Sequence, residues 1–103
     1  MITNLEKSLF DNYLEDEFYI KMSESESIQF KLVEVESLQT NQRRKPSNKI
    51  RSQPFSLIFV GPLTPIFNQS IYQLSHPQLG EIEIFLVPLG ESDTGIEYQA
   101  IFT

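Results

Sequence analysis

The 103-residue chain has no cysteine and no tryptophan, a single histidine, four glycines and only eight lysines and arginines. Without cysteine there is no disulfide, no thiol nucleophile and no thiolate metal site, so the fold depends on no oxidising compartment. No apolar run approaches the roughly 20 residues of a membrane-spanning helix. The start, "MITNLEKSLFDNYLEDEF", also lacks the basic residues and continuous apolar stretch of a signal peptide. Cytoplasmic residence follows as the expectation, with no membrane contact. A metal site would have to be built from carboxylates, yet "ESES" and "ESDTG" lack the oxygen-ligand spacing of a calcium loop. Gly61, Gly80, Gly90 and Gly95 are scattered over turns and form no phosphate-cradling loop. No metal and no cofactor is therefore expected. "NQS" at 68–70 has the form of a glycosylation acceptor, which without a secretion signal reads as chance.

What the chain has is apolar and aromatic material: 40% hydrophobic residues, with eight Phe and four Tyr. A single domain over residues 1–103 can bury roughly two-thirds of the surface that its unfolded chain exposes. The net charge is −6, unevenly spread: Arg43, Arg44, Lys45, Lys49 and Arg51 fall within nine positions, leaving three basic residues against 14 acidic ones elsewhere. Phosphate neutralisation needs a basic face, so nucleic acid is disfavoured as a partner of the body of the domain.

Leu5, Leu9 and Tyr13, with Phe10 and Leu14 beside them, predict an amphipathic N-terminal helix over residues 1–17, and Thr3 followed by Glu6 has capping-box spacing. A helix this short is marginal alone, so its stripe must lie on one end or face of a sheet. From Phe18 the period becomes two, with Phe18, Ile20 and Met22 on one face. Ile28, Phe30 and Leu32 continue it before Val33 and Val35 change parity, which predicts a β-bulge at Leu32 and Val33. Residues 39–53, "QTNQRRKPSNKIRSQ", are almost free of apolar side chains and read as a long exposed basic loop. "PFSLIFVGP" suits a strand covered on both faces, and Pro62 and Pro65 make "GPLTPIFNQ" an irregular crossing. "SIYQLS", "EIEIFLVPL" and "IEYQAIFT" complete six strands.

His76 precedes Pro77 in the short link "HPQLG". Proline pushes it toward an extended backbone, and Gly80 supplies the positive φ that closes the turn. An imidazole there can fasten the turn to backbone groups, and general acid–base work would need a partner and a pocket that no fixed spacing supplies. His76, Pro77 and Gly80 are thus assigned to a structural turn, with no catalytic residue and no enzymatic activity expected. Glu81 and Glu83 alternate with Ile82 and Ile84 and read as a solvated face. Phe55, Phe59, Phe67, Tyr72, Phe85, Tyr98 and Phe102 read as core rather than as a stacking platform.

The stretch "PFSLIFVGPLTPIFNQSIYQLSHPQLGEIEIFLVPLG", with "IEYQAIF" after it, resembles a small bacterial family catalogued as a domain of unknown function. Its members look like "PFSLLF.GP", then "Y.L.HP.LG...LFLVP.G" and a closing "Y.A.F". The resemblance is close over the C-terminal half and loose before it. It departs where members carry glycine after the leucine of the first-helix region, since this chain has Leu14 and then Glu15. The resemblance implies genes beside proteins similar to phage tail-collar or short-fibre proteins, and hence an accessory role in making, capping or docking a fibre.

The fold expected is mainly β, a small antiparallel barrel or compressed sandwich of about six strands with one N-terminal helix. Its core is expected from Phe18, Ile20, Phe30, Leu32, Leu57, Phe59, Leu74, Ile84, Leu86, Tyr98 and Phe102. The expected function is non-catalytic: an interaction or assembly accessory, as chaperone, cap or adaptor, for a tail-collar-like fibre protein, resident in the cytoplasm or carried with the exported assembly. Two partner-binding surfaces are expected, the basic loop (Arg43, Arg44, Lys45, Lys49, Arg51) and the edge of the last strand (Tyr98, Ile101, Thr103). The alternative is a small barrel whose interior binds an apolar or sugar-like ligand.

Overall fold

Alternation of apolar and polar side chains commits most of the chain to strands that are dry on one face. In a computed structural model of the protein, residues 6–38 and 54–102 are described. They form one helix, α1 (Lys7–Asp11), and six strands, β1 (Glu17–Lys21), β2 (Ser27–Ser37), β3 (Phe55–Gly61), β4 (Ser70–His76), β5 (Gly80–Glu91) and β6 (Ile96–Phe102). The strands close into an antiparallel barrel in the order β1-β2-β3-β6-β5-β4. The bulge falls where the parity of the sequence slips: Leu32 faces Phe59 and Glu34 faces Ile58, so Val33 is the extra residue.

The ring order fixes the two ends. β3 and β4 stand opposite one another, so residues 62–69 must cross the lower mouth of the barrel to join them. The crossing contains the cis Thr64–Pro65 bond and pushes Phe67 inward, where its ring meets Phe30 at 5.3 Å and Tyr72 at 5.4 Å. At the upper mouth α1 brings Phe10 to 5.9 Å from both Phe55 and Phe102, which stack on each other at 4.7 Å. Each fully buried phenylalanine contributes about 2–3 kcal/mol of apolar transfer energy. Two phenylalanines thus plug the two ends of the tube. At the lower rim Gly95 is obligatory, because a Cβ built on it would overlap the Gly61 carbonyl oxygen.

Ten of the eleven expected core residues are buried, whereas Phe102 is only half-buried. Phe10, Phe55, Phe67, Leu79, Ile82, Ile96 and Ala100 complete the cluster. Three local expectations need correction. Met22 lies beyond the end of β1 and is exposed. The helix is five residues long rather than filling 1–17, and Glu6 stands before it in an extended conformation with no side-chain cap bond, which is not the capping-box geometry; Thr3 lies outside the described residues. Phe85 is 49% exposed and not core, because Ile82, Ile84 and Leu86 take the inner parity of β5.

Candidate functional site

The last residue of β4 places His76 under the helix–strand turn that precedes β1, where its side chain is 4% exposed. The backbone N–H groups of Gln78 and Leu79 point at Nδ1, at 3.0 and 3.4 Å. Nδ1 therefore accepts, which puts the ring proton on Nε2, and Nε2 donates to Asp16 Oδ2 at 3.0 Å. The ring of Tyr13 meets the imidazole edge-on at a centroid distance of 4.7 Å, and that of Phe18 lies tilted against it at 4.8 Å. Gly80, paired with His76, closes the loop at φ +83. Pro77 is exposed within the turn.

Asp16 lies 60 residues upstream, so no local spacing could reveal it. Its own segment is tied to β2: Glu15 N–H donates to the Leu32 carbonyl at 2.7 Å and Leu32 N–H to the Asp16 carbonyl at 3.0 Å. With both ring nitrogens committed to protein groups, the imidazole offers no lone pair to a substrate. The arrangement fastens the β4–β5 turn, the pre-β1 turn and β2 together. Among the described residues no group of three or more His, Asp or Glu side chains is gathered to hold a metal ion.

The barrel interior is occupied by its own side chains. Phe18, Phe30, Phe59, Leu32, Leu57, Leu74, Leu86 and Tyr98 are all at 0% exposure. A six-stranded barrel is narrower than the eight-stranded size at which side chains just fill the bore, so the ligand-binding alternative draws no support from this interior. Tyr98 uses its hydroxyl oxygen to accept the Phe67 N–H at 2.9 Å. It belongs to the core and cannot serve as a docking residue on a strand edge. β6 pairs with β3 along its length and with β5 through Ile96–Gln99, so the expected edge is covered at Tyr98, and the pairing with β5 ends at Gln99. Ile101, by contrast, faces outward and is 56% exposed. Arg43, Arg44, Lys45, Lys49, Arg51 and Thr103 lie outside the described residues.

One surface missed by the sequence reading stands out on the wall made by β4, β5 and β6. Ile71 and Phe85 face each other directly across β4 and β5 and are 64% and 49% exposed. Gln73 opposes Glu83 and Ser75 opposes Glu81 in the next rows, and Gln73 Nε2 donates to Glu81 Oε1 at 2.7 Å. Val87, opposite Gln99, continues the outward row of β5. The signal was present in the sequence, since Phe85 shares the parity of Glu81 and Glu83. An open groove of about 550 Å³ borders Ile71 and Gln73 on the β1 side, with Lys21, Met22 and Glu24 on its far bank.

No described helix is long and apolar enough to cross a membrane. A family model described as Domain of unknown function (DUF6916) matches residues 5–102. No curated protein and no solved structure matches the chain.

Proposed function

Since the chain belongs to the DUF6916 family, we propose that it is a non-catalytic interaction module, a chaperone, cap or adaptor that assists the assembly of another protein. The observation that carries the reading is the exposed Ile71–Phe85 pair, since large apolar side chains set side by side on a barrel exterior mark a docking surface. The commitment of His76 to Asp16 and the turn backbone supports it by giving that residue a structural task. The family resemblance directs the choice of partner toward a fibre protein similar to phage tail-collar or short-fibre proteins, in the cytoplasm or in the assembly that leaves it.

Affinity purification of the tagged protein from a host with its neighbouring genes intact, followed by mass spectrometry and sizing, tests the proposal. Stoichiometric recovery of a fibre-like protein is the expected result. Recovery of the lone chain while such a neighbour is expressed would overturn it.

A further inference from the structure

No lysine or arginine follows Arg51 in the sequence, whereas Glu81, Glu83, Glu91, Asp93 and Glu97 all do. β4, β5 and β6 are therefore a wall without a cation of their own. The outward row of β5 reads Glu81, Glu83, Phe85, Val87, with a step of about 7 Å between alternate residues of a strand. Two carboxylates are followed by two apolar side chains, and Ile71 widens the apolar end. Lys31 is held by Glu15 at 3.2 Å, and Lys21 stands at the end of β1 across the groove from Gln73.

Resting on the interaction reading above, we infer that this wall receives an extended segment of a partner protein in which two cationic side chains and then two apolar ones alternate with neutral residues. Only an extended chain repeats its side chains at the 7 Å step of the β5 row. Charge complementarity fixes the sign of the first pair, and the exposed Phe85 and Ile71 fix the apolar character of the second. The cationic side chains set encounter and register, while burial of the apolar pair supplies most of the affinity.

The test uses the full chain and three synthetic peptides: one of the pattern Lys-x-Lys-x-Leu-x-Val, one with Glu in place of Lys, and one of the first composition with its residues reordered. Binding is followed by amide chemical-shift titration at low salt. The alternating basic peptide should bind, shift amides along β4 and β5, and lose about tenfold or more in affinity with Glu81→Lys/Glu83→Lys and with Phe85→Ser. Ile71→Ser is a second apolar variant, and thermal melts confirm that these exposed substitutions leave the fold in place.

Equal binding of the reordered peptide, or indifference to Phe85→Ser, would overturn the inference, as would a wild-type dimer that Phe85→Ser converts to a monomer. A fibre-like partner whose capture survives these substitutions would overturn the inference and leave the assembly reading standing. Peptide binding of the expected pattern with no partner on purification would uphold the inference and count against that reading.

Discussion

His76 shows how one residue couples segments far apart in the chain. If the imidazole joins β4 to the turn before β1 through Asp16, then His76→Ala, Asp16→Ala and the double variant should be non-additive. A coupling of about 0.5–1.5 kcal/mol by urea denaturation is expected for a contacting pair whose carboxylate is half-exposed; additive losses would mean that the two side chains act independently. Glu15 holds φ at +74, a left-handed conformation that strains a residue with a Cβ. Glu15→Gly should raise stability by about 0.5–1 kcal/mol, with the exposed Lys31 pair giving back little of that. Tyr72 has its pKa raised from 10.0, first by desolvation and then by the electrostatic influence of Tyr98, and its hydroxyl donates to the Asn68 carbonyl at 2.6 Å. A pKa raised on folding means that the stabilisation is complete below pH 10.0 and lost as pH rises through the folded value. Melts of the wild type should therefore fall above that pH, and less steeply in Tyr72→Phe.

At the scale of elements, the strands were legible because their cores follow a period of two, and the bulge because Leu32 and Val33 break it. The ends of the barrel were legible only in part: Phe67 was read as core and the helix as a cover, but not as the plugs of opposite mouths. Phe67 lies in a segment whose prolines forbid a strand, and its place at the lower mouth follows only from β3 and β4 being opposite in the ring. The helix stripe was read correctly as a covering surface, but Tyr13 and Leu14 belong to the turn that Glu15 reverses, leaving five helical residues. That β5 covers β6 as far as Gln99 could not be seen by reading one strand, because pairing on both sides is a property of closure. The plugs make a local prediction. Phe67→Ala should cost about 3 kcal/mol by denaturant titration, as a large cavity-forming truncation does. Leu63→Ala and Ile66→Ala in the same crossing, where both side chains are more than half exposed, should stay within about 0.5 kcal/mol.

The whole molecule joins strand pairs that are distant in sequence, so neither half can complete the barrel. β1 and β2 close the ring only by pairing with β4 on one side and β3 on the other. The candidate interaction wall was therefore hidden from a strand-by-strand reading: Ile71 and Phe85 belong to different strands, and Phe85 looked like core until its neighbours claimed the inner parity. The uneven placement of cations has a further consequence, for proteolysis. Trypsin cuts only after lysine or arginine, so whatever it does to the first half of the chain, residues 52–103 leave the digest as one intact peptide carrying β3 to β6. Cleavage confined to Arg43–Arg51 would yield two pieces whose strands still meet along the β2–β3 and β1–β4 seams, and these should travel together on a native column and separate only in denaturant. Such a nicked barrel would make each piece a bait for the other, turning closure of the ring into a binding equilibrium that can be measured.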